Sequence, residues 1–252
     1  MKGLILAAGR GSRMQSLTET RPKALIDIGG RPVIEWTLAA LREAGVDEVL
    51  VVRGYLGQTL TGSYTTVDNP HWQSSNMVVS LLHADAWLAS GPCLVSYADI
   101  VFRGAHAAAL AGADADIAIT YDRRWLELWS RRFANPLDDA ETFREQDGRL
   151  IEIGQRTQDL SAIAGQYMGL LKITPAGWRS MRGVIDALPP DAVDRLAMTS
   201  LLKRLLNESV RIAAVPVDGG WCEIDSADDL HVYQHCLSEA AASGIPWSHD
   251  WR

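Results

Sequence analysis

The sequence predicts an α/β fold: a single Rossmann-like domain over residues 1–252, with a mixed, mostly parallel sheet flanked by helices and an inserted β-hairpin arm. Three observations predict it. Residues 4–8 are apolar without alternation, the pattern of a strand buried on both faces. A glycine-rich loop, a helix and a second apolar run follow in βαβ order, which implies parallel strands. Further on, Gln146, Asp147, Gly148 and Arg149 form a hairpin signal between two short strand patterns.

Taken in order, residues 4–8 are the first strand and residues 9–21 a loop rich in glycine and polar residues. Pro32 stands where a first helical residue should be; Val33, Trp36, Thr37, Ala40, Leu41 and Ala44 then recur at helical spacing, and Gly45 ends the helix. Residues 46–52 read as the second strand. After Asn69 and Pro70, a loop enters a helix near Asn76, with an apolar stripe of Met77, Leu81, Ala84 and Leu88. Residues 93–97 form a buried strand ending near Asp99, 105–111 a helix and 117–121 a strand. The hairpin pairs 142–145 with 150–153. Residues 165–173 read as a strand, 175–188 and 198–206 as helices, 210–217 as a strand and 227–242 as the last helix. No repeat, low-complexity stretch or linker divides the chain.

The 252 residues suit one α/β domain, and the 47% hydrophobic and 22% charged fractions are those of a soluble globular protein. A formal net charge of −7 argues against a nucleic-acid-binding surface but leaves room for a local basic cluster that takes an anionic substrate. Cys93, Cys222 and Cys236 show no metal-ligand spacing and read as reduced thiols. The apolar start is too short for a signal-peptide core, and no stretch reaches the ~20 apolar residues of a membrane helix. A soluble, cytoplasmic protein is expected, with its oligomeric state open.

The strongest chemical signal is Leu6, Ala7, Ala8, Gly9, Arg10, Gly11, Ser12 and Arg13, followed by Arg21, Pro22, Lys23, Ala24 and Leu25. Gly9 and Gly11 let the backbone turn and bring N–H groups close to a triphosphate, while Arg13 and Lys23 supply positive charge. It is not a Walker loop, because the Gly-Lys-Ser/Thr ending is missing, nor the dinucleotide fingerprint, because no third glycine opens a helix. The alternative, a flexible surface loop, does not explain Arg13 and Lys23 on a long loop directly after the first strand.

This stretch resembles the signature of the nucleotidyltransferase family that includes sugar-1-phosphate nucleotidylyltransferases and phosphocholine cytidylyltransferases. The resemblance implies that residues 6–13 wrap an NTP and that Arg13 and Lys23 contact its phosphates in a catalytic role. Asn76 with Ser80 and Leu81, the run Gly165, Gln166, Tyr167, Met168, Gly169 and Leu170, and the run Trp221, Cys222, Glu223, Ile224 and Asp225 are similar to the choline-phosphate and phosphonate branch. The reaction implied is CMP transfer from CTP, or another NTP, to phosphocholine or a small phosphonate such as 2-aminoethylphosphonate, with release of pyrophosphate. A sugar-1-phosphate nucleotidylyltransferase is the alternative. A non-catalytic homologue should have lost Lys23, Asp99 or Asp225, and all three are present.

Asp99 and Asp225 each follow a strand, where an α/β sheet carries its ligands. Magnesium is usually held by one or two carboxylates plus substrate phosphates, and the resemblance implies that these aspartates are its ligands, with Asp99 also beside the nucleotide. A strand-end turn for Asp99 and a helix cap for Asp225 are the plain alternatives. Glu223 shares the side-chain parity of Asp225, and its role stays open. Asn76 and Ser80 lie one helical turn apart; the resemblance implies that they line base and ribose, while a helix cap and a packed serine would explain them equally. Trp125 and Trp129, one helical turn apart, are either a core-facing stripe or, with Tyr121, Tyr167 and Trp221, the wall of an acceptor pocket, where aromatic faces would hold an ammonium group and Asp122 or Glu223 would add charge. Lys172 is either a partner of the acceptor's phosphoryl group or a solvated strand-end lysine. No histidine spacing suggests a metal site, and no Ser-His-Asp or Cys-His set is evident.

Overall fold

The computed structural model describes residues 1–252. In chain order the elements are β1 (Lys2–Ala7), β2 (Asp27–Ile28), β3 (Arg31–Pro32), α1 (Val33–Glu43), β4 (Glu48–Arg53), β5 (Thr65–Asp68), α2 (Met77–His83), α3 (Asp85–Ala89), β6 (Cys93–Tyr97), β7 (Ile100–Phe102), α4 (Gly104–Ala111), β8 (Ile117–Asp122), α5 (Trp125–Arg132), β9 (Glu141–Gln146), β10 (Arg149–Arg156), β11 (Gln166–Ile173), α6 (Pro175–Asp186), α7 (Pro190–Asp194), α8 (Met198–Asn207), β12 (Ala213–Val217), β13 (Trp221–Glu223) and α9 (Ala227–Ser243).

Nine strands form one sheet in the order β5-β4-β1-β6-β11-β8-β12-β10-β9. β5, β4, β1 and β6 pair in parallel, as do β8 and β12; β11 lies antiparallel between β6 and β8, and β10 antiparallel to β12 and β9. All strands but β10 and β11 therefore point one way. Side chains alternate between two cores, as strand geometry requires. Ile5 and Ala7 face the layer of α1, α4 and α9, whereas Leu4 and Leu6 face the layer of α2, α6 and α8.

The inserted hairpin β9/β10 is present and is tied to the sheet: Leu150 N donates to Ile212 O and Ala214 N to Gly148 O, so it extends the edge of the main sheet. The structure departs from the sequence expectation at several places. The strand expected over 210–217 starts at Ala213, because Val210 N still bonds to Leu205 O to close α8 and Ser209 takes a left-handed φ of 60°. The second strand starts at Glu48 rather than 46, since Val46 N bonds back to Leu41 O and finishes α1. The helix after Asn76 breaks at Ala84, and Asp85 opens α3 with its carboxyl accepting from Trp178 Nε1 at 2.9 Å.

The short sheet β7/β13 matters most for function. It pairs Trp221 with Phe102 and Glu223 with Ile100. Ile224 N then donates to Asp99 O at 2.8 Å. Backbone pairing thus brings two segments that are remote in sequence side by side, with Asp99 just before β7 and Asp225 just after β13 at the same end.

Candidate active site

A cleft opens at the carboxyl ends of β1 and β6, as expected for an α/β sheet. Its floor is a charged knot. Lys23 Nζ lies 3.0 Å from Asp99 Oδ2 and 2.8 Å from Asp225 Oδ1, and Arg13 reaches the same Asp225 oxygen at 3.2 Å. Lys23 starts a single helical turn after Pro22, and its side chain is only 11% exposed. Burial opposes its charge, but Asp99 and Asp225 outweigh burial and hold its pKa above the ordinary lysine value. Asp225 is the mirror case: burial favours its neutral form, while Lys23, then Arg13 and Arg132, hold it below the usual carboxylate range. The alternative role of Asp225 as a helix cap does not apply. Ser226 caps α9, and Asp229 completes the capping box, accepting from Asp225 N and Ser226 N.

One half of the cleft is built from the loop after β1. Leu6, Ala7, Ala8, Gly9, Gly11, Ser12 and Arg13 line it, with Asn69, Trp72, Asn76, Ser80 and Tyr97 opposite. Gly11 has a φ of +68°, and a Cβ there would sit 2.8 Å from Lys23 Cδ. The glycine both makes the turn and leaves the space that Lys23 fills. Tyr55 N donates to Ala8 O, Met14 is buried beneath the loop, and Arg10 stacks over Tyr55, so the loop is tied at both sides. Asn76 caps α2, its Oδ1 accepting from Met77 N at 2.7 Å, and also faces the cleft. Ser80 is held by buried Asn69, whose Nδ2 donates to Ser75 Oγ and Ser80 Oγ, each at 3.2 Å.

A second recess continues from the same floor, sharing Arg13, Tyr97 and Asp225 with the first. Trp129, Asp139, Glu141, Phe143, Arg156, Tyr167, Thr199 and Glu223 are among its walls. Gly169, at φ +82°, lets the Tyr97 ring pack where a Cβ would come within 2.6 Å, and Tyr97 meets Tyr167 edge to face at 5.9 Å.

At the junction, oxygens of Asp99, Glu223 and Asp225 lie within 4.8 Å of one another. Arg132 sits behind them with its side chain fully buried, bonded to Asp229 at 2.9 Å and Glu223 at 3.1 Å, with Asp225 at 3.8 Å. Burial and the charge of Asp225 push the Glu223 carboxyl well above its ordinary pKa, against the pull of Arg132. Asp99 Oδ1 is buried and has no hydrogen-bond partner in the protein. An orphaned carboxylate oxygen beside two further carboxylates is a donor set that suits a hard divalent cation.

A family model described as the MobA-like NTP transferase domain matches residues 3–160. A CTP:phosphoglutamine cytidylyltransferase from Campylobacter jejuni is 34% identical over 249 residues, spanning 92% of this chain and 98% of its own. The chain is a MobA-like NTP transferase. It falls on the cytidylyltransferase branch of that family: a 2-aminoethylphosphonate cytidylyltransferase from Lancefieldella rimae is 27% identical over 241 residues, covering 92% of this chain and 91% of that one. Among solved structures, an inositol-1-phosphate CTP transferase from T. maritima superposes with a TM-score of 0.72 at 19% identity, covering 98% of both chains. A CTP:phosphocholine cytidylyltransferase from Streptococcus pneumoniae reaches 0.70 at 21%, over 94% of this chain and 98% of that one. These two show the shared fold.

In this transferase several residues expected at an acceptor pocket lie elsewhere. Tyr121 is buried and stacks on Phe143 at 4.7 Å. Asp122 is fully buried and accepts from Arg124 N, Gly219 N and Trp221 Nε1, with His249 Nε2 at 2.9 Å, so it pins the C-terminal segment rather than a ligand. Trp125 and Trp221 belong to the core. Lys172 points away from the cleft, and its Nζ donates to Ala111 O and Ala113 O near the opposite ends of the parallel strands. Of the expected group, Trp129, Tyr167 and Glu223 line the second recess. Sequence reasoning missed Arg132, Asn69, Glu141 and Arg156. Arg132 alone left a trace, as a basic last turn on the helix that carries Trp125 and Trp129.

No helix of the chain is long and apolar enough to cross a membrane.

Proposed function

We propose that this enzyme transfers CMP from CTP to a small phosphoryl or phosphonyl acceptor, releasing pyrophosphate, with magnesium as its cofactor. The observation that carries the reading is the junction: Lys23 bridges Asp99 and Asp225 where two recesses meet, one framed by the glycine loop and one by the hairpin. Such a layout suits two substrates that react end to end. The relatives spanning nearly the whole chain, named for phosphoglutamine and 2-aminoethylphosphonate, support CTP as donor and a small acceptor.

In this reaction an acceptor oxygen attacks the α-phosphorus of CTP, a new phosphorus–oxygen bond forms, and the α–β bridge breaks with its electron pair leaving on pyrophosphate. The acceptor oxygen is already anionic near neutral pH, so no strong general base is needed. The backbone of Ala8 to Ser12 and the side chains of Arg13 and Lys23 hold and neutralise the triphosphate. Asp99 and Asp225, with Glu223 beside them, would hold the magnesium ion, which when bound polarises the phosphoryl oxygens. Arg132 keeps the carboxylates in place. Positioning and charge neutralisation supply the catalysis.

The reading is tested by pyrophosphate release with each of the four NTPs against phosphonate, phosphocholine and hexose-1-phosphate acceptors. CTP with an amine-bearing acceptor should give the highest kcat/KM. A hexose-1-phosphate that outperforms every amine-bearing acceptor would transfer the enzyme to the sugar-phosphate branch.

A further inference from the structure

The second recess carries a cation and an anion on one rung of the sheet that form no ion pair with each other. Glu141 and Arg156 are register partners at the base of β9 and β10, and both line the recess. Residues directly opposite in an antiparallel pair place their side chains on the same face. Yet they form no ion pair within 4.0 Å. Arg156 instead donates from Nη1 to the Asp138 carbonyl at 2.9 Å. Glu141 is fixed by its backbone: Gln166 Nε2 donates to Glu141 O at 2.7 Å, and Glu141 N donates to Gln166 Oε1 at 3.3 Å. Asp139 adds a second acid, one oxygen of which accepts from Trp129 Nε1 at 3.2 Å. The Tyr167 hydroxyl is buried and has no partner.

A recess for a simple ammonium compound needs acids and aromatic faces. It has no use for a guanidinium, which is the side chain suited to a carboxylate and which here spends only Nη1 on the Asp138 carbonyl. Two opposite charges on one rung with no ion pair between them match a ligand that bears both. We infer that the acceptor is an α-amino acid carrying a phosphoryl or phosphonyl group on its side chain, with its ammonium at Glu141 and Asp139 and its carboxylate at Arg156. The aromatic rings of Trp129 and Tyr167 flank the aliphatic stem, and the phosphoryl end points to the junction of Arg13 and Asp225. The bond changes are those of CMP transfer: the side-chain phosphoryl oxygen attacks, and pyrophosphate departs.

This inference rests on the reading of the recess as the acceptor half. Its test uses matched pairs that differ by one carboxylate. L-2-amino-3-phosphonopropionate is compared with 2-aminoethylphosphonate, and its homologues one and two methylenes longer are compared with 3-aminopropylphosphonate and 4-aminobutylphosphonate. CTP binding to every variant is followed by calorimetry. At least one amino acid should exceed its decarboxylated counterpart by about tenfold or more in kcat/KM, the worth of one charge-assisted pair. Arg156→Gln should reduce that ratio to about twofold or less, Arg156→Lys should restore part of it, and Glu141→Gln should weaken both members of each pair. CTP affinity should stay the same throughout. Equal use of both members by the wild-type enzyme, a preference that survives Arg156→Gln, or CTP binding with turnover of no amino acid would each overturn the inference. A wild-type enzyme that fails to bind CTP would instead overturn the transferase reading itself.

Discussion

The two halves of the cleft are made in opposite ways. The proposed nucleotide half is built around one stretch of backbone, residues 6–13 with Lys23 close behind, faced by Asn69, Asn76 and Ser80, and its chemistry is cationic and rich in N–H groups. The proposed acceptor half is assembled from α5, β9, β10, β11, α8 and β13, and its chemistry is side-chain carboxylate, guanidinium and aromatic ring. A triphosphate is the same in every member of such a family, so a fixed loop serves it. An acceptor differs from enzyme to enzyme, and a surface drawn from several elements can change one residue at a time. The shared floor of Asp99, Asp225 and Lys23 must stay constant for both.

Variants can break that division at the floor first. Asp225→Asn should lower kcat by about 10³-fold or more, since it removes both a proposed cation ligand and the anchor of Lys23 and Arg13. Its thermal midpoint should move only a few degrees, because Asp99 still pairs with Lys23. Near-wild-type turnover at saturating magnesium would remove Asp225 from the ligand set.

Lys23→Met should cost about 10²–10³-fold, appearing in kcat as well as in the KM for CTP, if its charge serves the departing pyrophosphate as proposed. An effect confined to the KM would show uniform binding of ground and transition states. Gly11→Ala should act the same way more weakly, through the Cβ that would press on Lys23.

Behind the floor, Arg132→Met should leave Glu223, Asp225 and Asp229 without their shared counter-charge. Removing one partner of a buried ion pair costs about 3–5 kcal/mol. For a chain of this size that is a fall in Tm on the order of 10 °C, read by scanning calorimetry. An unchanged Tm would mean that the cluster protonates instead.

The residues moved from the pocket to the core sharpen the comparison from the other side. Trp125→Ala should cost about 3–5 kcal/mol of stability, while the KM for acceptor in the surviving folded enzyme stays as in wild type, since Trp125 is buried beside Trp129 and does not line the recess. Tyr167→Ala, which removes a ring from the recess wall, should instead raise the acceptor KM. A raised acceptor KM in Trp125→Ala would restore it to the pocket.

The smallest effect concerns acid stability. His106 lies buried beside Arg103, and burial first, then that charge, lowers its pKa to about 4. The fold therefore favours the neutral ring. The stability this provides is complete above the unfolded value of about 6.5 and is lost as pH falls from there toward 4. Denaturant unfolding across that window should show His106→Gln with a flatter pH slope than wild type, by at most about 1.4 kcal/mol per pH unit. Parallel slopes would contradict the assignment.

The contrast between the halves also explains what could be read from the sequence. A contiguous loop keeps its spacing in the chain, so Gly11, Arg13 and Lys23 stood out together, and strands β1 and β6 announced themselves as unbroken apolar runs. Asp99 and Asp225 were legible as strand-end acids, but their union depends on the three-residue strands β7 and β13, too short for any periodicity to mark. The acceptor half has no local signature. Glu141 and Arg156 meet only through hairpin register, which shifts twice along the pair, between Leu150 and Glu152 and between Ile153 and Arg156. Aromatic content misled for the same reason: Tyr121, Trp125 and Trp221 look like a binding wall in sequence, but two cores on either side of a nine-stranded sheet need large side chains to fill them.

The central claim, that one cleft joins two substrates across a common floor, is tested most directly by following pyrophosphate and the cytidylylated product together in one reaction. With CTP, magnesium and an amine-bearing phosphonate acceptor, the account predicts equal amounts of the two, no pyrophosphate when the acceptor is omitted, and neither product from Asp225→Asn. Pyrophosphate released at the same rate without acceptor, or by Asp225→Asn, would contradict it.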